Sequence, residues 1–327
     1  MKKRVLAAIS GGVDSAVAAR LALESNHEVV GVTMRLWGGK KQSRSCSTAD
    51  ADEAANVARS LQIEHIVLDH RDEFEKRVVE PYMNSNETTP NPCIECNGLF
   101  KIQKLSSWAV ENGFDSIITG HYCSFDKTGL YRGVDPAKDQ SYFMYKLITQ
   151  TEVEYVFPLG KMTKTQVRQR ALEFGLLNSE KQDSMGLCFA PTKIGKILPM
   201  YDPNGNMVGS VHGGRITIGQ RRGLGISSKE ALYVDKIEET RVVLGTKERL
   251  QRTSVVVNNW VGGTSGENLY VQFSAHGRSL EVATVFETET GVLLETKNSF
   301  KAVAAGQHAV LYDKERVVGG GEIVRTF

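Results

Sequence analysis

Eight residues near the start of the chain, Ala8-Ile9-Ser10-Gly11-Gly12-Val13-Asp14-Ser15, limit its fold more than any other stretch. Arg4 to Ile9 is a short apolar run that reads as a buried strand, and Ala16 to Leu23 is an Ala/Leu run that reads as a helix. The glycines therefore fall between the carboxyl end of a strand and the amino end of a helix. Backbone N–H groups and the helix dipole suit that junction to a phosphate. Gly11 and Gly12 let the backbone close around it. Ser10 and Ser15 are candidate hydroxyl donors, and Asp14 is a candidate ligand for Mg²⁺ carried by a nucleotide.

No Gly-Lys-Ser/Thr follows, so this is not a Walker A loop. The stretch resembles the SGGxDS pyrophosphate loop of the ATP pyrophosphatases, which split ATP between its α- and β-phosphates to make an adenylated intermediate. A plain Gly-Gly turn with a serine cap is the competing reading, and the strand–loop–helix context speaks against it.

The 327 residues allow two or three domains. A net charge of +2 gives no global nucleic-acid signature, so an RNA surface has to be a local basic patch. No stretch approaches the ~20 apolar residues of a membrane span. Met1-Lys2-Lys3-Arg4 is basic, but the apolar run behind it is too short for a secretory leader. The expectation is a cytoplasmic protein without a membrane partner. Five cysteines (Cys46, Cys93, Cys96, Cys123, Cys188) fit thiol or metal chemistry better than a secreted disulfide framework.

Along the chain, Glu28–Met34 and Glu64–Asp69 read as strands and Ala49–Leu61 as a helix between them. Trp37–Ser47 reads as a loop. Glu73–Glu80 reads as a helix that Pro81 ends or kinks. The alternation implies right-handed βαβ crossovers and a parallel sheet. Met34 then overlooks the ligand crevice, either against an adenine or as a core methionine. Pro90 and Pro92 impose an extended loop ahead of Cys93-Ile94-Glu95-Cys96, a pair that is redox-active, metal-binding or coincidental. Lys101 and Lys104 follow on a helix. Phe114–Tyr122 is a further strand running into Gly120, where His121 is catalytic, RNA-contacting or an ordinary polar residue. Thr163–Leu172 is a helix with Thr163 as its N-cap. Taken alone, Cys188 reads as a small buried hydrophobe. Thr217–Ile226 is a basic, glycine-bracketed loop whose Arg221 and Arg222 grip phosphates or decorate a solvated turn. Alternating runs at Asn268–Phe273, Leu280–Phe286, Val292–Thr296, His308–Tyr312 and Arg316–Val324 suit an antiparallel barrel.

Taken together the motifs resemble those of the tRNA-specific 2-thiouridylases of the MnmA/TrmU type, which replace O2 of the wobble uridine with sulfur. The matching stretches are Ser10–Ser15, Gly31–Met34, Thr89–Asn97, Thr119–Tyr122, Lys138–Phe143, Phe157–Gly160, Val167–Arg168, Asp183–Phe189, Thr217–Ile226 and Gly306–Gln307, in family order. The resemblance implies an α/β fold of the PP-loop, adenine nucleotide α-hydrolase-like kind over 1–196, a small central domain over 197–248 and a β-barrel over 249–327. It implies ATP-binding positions at Ala8, Ile9, Ser10, Gly11, Gly12, Val13, Asp14, Ser15, Met34 and Gly120. Cys96 matches the nucleophilic cysteine and Cys188 the cysteine that carries persulfide sulfur. Asn91, Pro92 and Cys93 match positions that face the target base, and His121, Lys138, Asp139, Gln140 and Gln307 match tRNA-contacting positions.

Two departures stand out. Some members carry aspartate where this chain has Cys93, and the segment after Cys188 is short, with Pro191–Asn204 in place of a longer stretch. The implied reaction uses ATP with Mg²⁺, a tRNA with its wobble uridine extruded, and sulfur relayed from a cysteine desulfurase; it ends in a Cys96–Cys188 disulfide. An alternative keeps the fold but has Cys93, Cys96 and Cys188 hold a [4Fe-4S] cluster. Another ATP pyrophosphatase and a non-catalytic tRNA-binding module are further rivals.

Overall fold

The computed structural model describes residues 2–38, 48–85, 89–149, 152–176, 178, 179, 181, 189 and 196–327. The chain divides into two compact units. One comprises Met1–Val79, Cys93–Ala190 and Glu315–Val317, the other Glu80–Pro92, Pro191–Lys314 and Val318–Phe327.

The first unit is built on a five-stranded parallel sheet. Its strands are β1 (Arg4–Ala8), β2 (Glu28–Arg35), β3 (Glu64–Asp69), β4 (Ser116–Ile118) and, after the antiparallel hairpin of β5 (Cys123–Asp126) and β6 (Gly129–Arg132), β7 (Glu154–Val156). Their order is β3-β2-β1-β4-β7, with Val5 between Val29 and Ser116 in register. The chain winds one way from β1 to β3 and the other way from β1 to β7, so a crevice opens beyond the carboxyl ends of β1 and β4. Three helices, α1 (Val13–Glu24), α2 (Thr48–Leu61) and, later in the chain, the helix over Lys164–Glu173, bury Ala16, Val17, Ala54, Ala58, Val167 and Ala171 against Val5 and Ala7 of β1. Small residues on α1 let these helices approach the sheet closely.

Between β3 and β4 run α3 (Arg71–Phe74), α4 (Glu80–Asn84), α5 (Pro92–Glu95) and α6 (Lys101–Glu111). Two π-helical turns, Glu75–Val79 and Cys96–Phe100, interrupt them. Helix continues past Pro81 to Asn84, so the proline does not end it, and the π-helical turn over Glu75–Val79 stands directly ahead. Pro81 has no N–H to give, and its ring crowds the carbonyl one turn back. The wider turn ahead of it accommodates both, and its own carbonyl accepts from the Ser85 N–H at 3.2 Å. Pro92 sits at the first position of α5, where a missing N–H costs nothing. Next come α7 (Ser141–Met144) and α8 (Lys164–Glu173). Thr163 caps α8 in a reciprocal box with Gln166, as its sequence suggests.

The second unit holds two sheets. Four strands, β8 (Ile197–Tyr201), β9 (Met207–His212), β10 (Tyr233–Ile237) and β11 (Val242–Gly245), are ordered β10-β11-β8-β9. Six more, β12 (Gln251–Gly262), β13 (Leu269–Gln272), β14 (Leu280–Thr288), β15 (Gly291–Lys301), β16 (His308–Asp313) and β17 (Arg316–Thr326), run β12-β15-β14-β13-β16-β17 and close through pairing of β12 with β17. Alternate residues such as Val255, Val257, Leu294, Ala309 and Leu311 fill the barrel, as a period of two requires. Among the described residues no helix is long and apolar enough to cross a membrane.

Candidate active site

Ala8 ends β1 and Val13 begins α1, so the glycine loop occupies the mouth of the sheet's crevice. Gly11 has φ +75°, a conformation that favours glycine. No side chain caps the amino end of α1, and the N–H groups there suit an anion. Ser15 serves the loop's shape. Its hydroxyl donates to the Gly12 carbonyl at 3.0 Å and its oxygen accepts the Ser10 N–H at 3.1 Å. The donor expected of Ser15 is therefore spent inside the loop, and Ser10 Oγ lies 3.2 Å from the same oxygen. Asn178 adds a bond to the Gly11 carbonyl at 3.1 Å.

A cavity of about 380 Å³ opens on this loop, of a size ordinary for a small-molecule site. Ala8, Ile9, Ser10, Gly12, Val13, Asp14 and Ser15 line it together with Met34 of β2 and Gly120, His121, Lys138 and Gln140. Gly120 is fixed by contact: a Cβ there meets the Asp14 carbonyl carbon and the Ser15 nitrogen at 2.7 Å each. Only a bare backbone lets the end of β4 lie against the loop.

Asp14 is not a bare carboxylate. Lys164 Nζ lies 2.7 and 2.8 Å from its two oxygens, and the Tyr122 hydroxyl donates to Oδ1 at 2.8 Å. A protein-held Mg²⁺ on Asp14 does not fit these donors, because a cation bonded to those oxygens would face an ammonium within 3 Å.

His121 is half-buried, with Nδ1 2.8 Å from Thr119 Oγ1 and its ring edge against Phe157. Burial, with a contribution from the Lys101 charge, pushes its pKa down to about 3, so the imidazole is neutral in the working pH range. Gln140 accepts the Tyr122 N–H at 2.9 Å, which fixes its amide at the cavity wall. Asp139 faces inward and is only 5% exposed. It takes the N–H groups of Gly133 and Ser141, the Ser141 hydroxyl and the Arg132 guanidinium, all within 3.1 Å. Its carboxylate holds a turn.

The cysteine helix reaches the same cavity. Cys93 lies in α5, half-buried, and Cys96 begins the π-helical turn, 4% exposed. Burial pushes the Cys93 thiol up, with the nearby Lys101 charge opposing. Asn97 donates to the Cys93 carbonyl at 3.0 Å and accepts from Lys101 Nζ at 3.1 Å, and both Asn97 and Lys101 line the cavity. Cys46 and Cys188 lie outside the described residues, as does most of the loop expected over Trp37–Ser47. Phe189, the residue after Cys188, is buried against Trp37 and Phe74.

Comparison with known proteins now decides the family. The family model described as "tRNA methyl transferase HUP domain" matches residues 3–192, and the "Aminomethyltransferase beta-barrel domain" matches 252–323. The tRNA-specific 2-thiouridylase MnmA of Rickettsia typhi is 37% identical over 357 residues, covering 98% of this chain and 99% of that protein. The chain belongs to the tRNA-specific 2-thiouridylase family. The MnmA protein of Geotalea uraniireducens is 36% identical, covering 98% of this chain and 95% of that protein. Among solved structures, the U34-tRNA thiolase NcsA from Methanococcus maripaludis, solved with its [4Fe-4S] cluster, matches with a TM-score of 0.40 and 22% identity, covering 58% of this chain and 62% of that chain.

In this 2-thiouridylase-family chain the remaining sequence candidates belong to the second unit. Pro92 is buried and Asn91 half-buried. Gln307 Nε2 donates to the Thr89 carbonyl at 2.6 Å, and the Thr89 N–H donates to Ala305 at 2.7 Å. Arg221 and Arg222 are exposed, and Gln220 shapes their loop by donating to the Arg222 carbonyl. Sequence reasoning missed Lys164, Tyr122 and Asn97. Lys101 it noted only as helical, although its spacing from Cys93 and Asn97 by fours puts all three on one helix face. Among the described residues no three His, Cys, Asp or Glu side chains form a metal site.

Proposed function

We propose that this chain is an ATP-dependent tRNA-uridine 2-sulfurtransferase, which converts wobble uridine 34 of tRNA to 2-thiouridine with release of AMP and pyrophosphate. The observation that carries the reading is one cavity with two chemistries on its wall, in a chain of this family. Ser10–Ser15 offers a phosphate cradle, the turn that starts at Cys96 supplies Asn97, and α6 directly after it supplies Lys101.

ATP binds with its phosphates on the loop and its adenine toward Met34. Uridine O2 attacks the α-phosphorus, the bond to the β-phosphate oxygen breaks, and pyrophosphate leaves with the electron pair. Cys188 carries a persulfide whose terminal sulfur attacks C2 of the adenylated base, and AMP leaves with the former O2. The Cys96 thiolate attacks the inner sulfur at Cys188, leaving C2=S on the base and a Cys96–Cys188 disulfide. A dithiol reductant supplies two electrons to reopen it. Neutral His121 and the amides of Asn97 and Gln140 offer hydrogen bonds to an uncharged base without adding charge to the site. Asn91, Pro92 and Cys93 face that base, and Lys138, Gln307, Arg221 and Arg222 contact the tRNA. The sulfur reaches Cys188 from a cysteine desulfurase relay in the cytoplasm. The chain works as a catalytic domain over 1–196, a central domain over 197–248 and a barrel over 249–327.

The test is mass spectrometry of tRNA nucleosides after incubation with ATP, Mg²⁺, cysteine, a cysteine desulfurase with its relay, and a dithiol reductant. The expected product is 2-thiouridine at the wobble position, with one AMP released per thiolated base. ATP turnover that is independent of tRNA, with no 2-thiouridine, would refute the proposal.

A further inference from the structure

We propose that Lys164 binds the pyrophosphate portion of ATP and that Asp14 is its counter-ion, not a metal ligand. The inference rests on the ATP reading of the cavity and assigns a role to a residue outside the glycine loop. Lys164 is the first residue of α8, directly after the Thr163 cap. Its N–H donates to Asp135 Oδ2 at 2.9 Å, so its backbone is fixed. Its side chain is only 12% exposed, and Nζ rests 5.9 Å from the centre of the Tyr122 ring. The ammonium is thereby held on the carboxylate of Asp14, in the first turn of α1.

A carboxylate at a phosphate loop opposes the ligand the loop is shaped for. Asp14 lines the cavity at the first turn of α1, next to where the N–H groups invite phosphate. Left alone, it would repel a triphosphate. Lys164 spans both of its oxygens, and the Tyr122 hydroxyl takes one of them as well. The pair is neutral without nucleotide and holds one ammonium poised at the loop. When ATP enters, its phosphate oxygens share that ammonium with Asp14. As the α–β phosphate bond breaks and charge gathers on pyrophosphate, Lys164 supplies fixed positive charge with no rearrangement of its backbone. Mg²⁺ then rides on the nucleotide's own oxygens and water.

The experiment is calorimetric titration of α,β-methylene-ATP and of AMP, each in EDTA and in Mg²⁺, against the wild type and the variants Lys164→Met, Lys164→Arg, Asp14→Asn and Asp14→Asn/Lys164→Met. In EDTA, Lys164→Met should bind α,β-methylene-ATP at least about tenfold more weakly, the size of one lost charge-assisted contact. AMP affinity should move by no more than about threefold by the same reasoning, since AMP lacks the pyrophosphate. Asp14→Asn should keep or raise affinity in EDTA and keep the gain that Mg²⁺ confers on the wild type. Lys164→Arg should stay close to wild type. The double variant removes both members of this ion pair, so it tests the same point if Lys164→Met does not fold; it should bind more weakly than Asp14→Asn. Two results overturn the inference: wild-type affinity of Lys164→Met in EDTA, or selective loss of the Mg²⁺ gain in Asp14→Asn. A wild type that binds neither nucleotide overturns the functional reading as well, so the two failures are distinguishable.

Discussion

Replacing Gly120 by alanine tests whether the end of β4 and the glycine loop form one rigid cradle. A Cβ at that position lies 2.7 Å from two backbone atoms of Asp14 and Ser15 and 3.0 Å from the Asp14 carbonyl oxygen. Because these are main-chain atoms, no side-chain rotation relieves the clash. Relaxing a 2.7 Å approach to an ordinary 3.4 Å contact moves the loop or the strand end by about 0.7 Å. Overpacking of this kind costs about 1–3 kcal/mol, so the melting temperature should fall by roughly 2–10 °C. Catalysis should suffer more, because a shift approaching 1 Å in a site that aligns reacting atoms costs on the order of 100-fold.

The assay pairs a thermal melt with tRNA-dependent pyrophosphate release at saturating and limiting ATP. Gly12→Ala is the contrasting variant. Gly12 has φ −85° and ψ 157°, open to any residue, and its Cβ meets only Ser10 Oγ at an ordinary 3.4 Å. It should melt like the wild type yet bind ATP more weakly, since its methyl lies where the loop closes on phosphate. If Gly120→Ala melted and used ATP like the wild type, the close packing of β4 on the loop would not be a feature of the working enzyme.

Asp139→Ala should destabilise the fold by about 3–5 kcal/mol, because Arg132 and three further buried donors lose their acceptor; urea melts would show this, while tRNA affinity of the folded fraction stays unchanged. His121 has its pKa held near 3 in the fold against about 6.5 unfolded, so stability it contributes above pH 6.5 is lost as pH falls toward 3. His121→Asn should therefore lose less stability than the wild type between pH 7 and pH 5, by at most about 2 kcal/mol in urea melts at the two pH values. Arg221→Ala and Arg222→Ala should each flatten the slope of log K for tRNA against log salt by roughly one unit or less, and an unchanged slope in the double variant would remove this loop from the RNA surface. Cys93→Ala should keep substantial thiolation, whereas Cys96→Ser should leave Cys188 able to carry persulfide yet stall transfer. Loss of bound iron together with thiolation in anaerobic Cys93→Ala would favour the cluster chemistry instead.

The sheet, the glycine loop and α8 were legible because each rests on a local rule: short apolar runs, a strand–glycine–helix junction, an N-cap threonine. Where a rule was weak or overridden, the sequence misled or fell silent. β5 and β6 are four residues each, too short for a period to declare itself, and only the Asp126-Lys127-Thr128-Gly129 turn marks them. β12 pairs on both sides to close the barrel, yet its Val255-Val256-Val257 run and the irregular register between Asn258 and Val261 break alternation. Nothing in Lys138-Asp139-Gln140 reveals that four donors converge on the Asp139 carboxylate from within the fold.

The candidate site divides along the same line. Residues whose backbone geometry matters, such as Gly11 with its positive φ and Gly120 packed against the loop, announce themselves because no other residue type serves there. Residues that act through charge do not, because a lysine on a helix is ordinary until its partner is known. Lys164 is 150 residues from Asp14 and Tyr122 is 108, so their pairing exists only once β1, β4 and α8 have assembled. Lys101 stands between these cases. Cys93, Asn97 and Lys101 are spaced by fours, and the Asn97 amide links the Cys93 carbonyl to the Lys101 ammonium on one helix face. That face joins the cavity wall to the cysteine pair, so the charge at Lys101 acts on groups of both. The same ammonium that helps keep His121 neutral works against burial at Cys93, where burial prevails and pushes the thiol up. One ammonium thus bears on a titratable ring of the cavity wall and on a thiol of the cysteine pair, two groups far apart in the sequence.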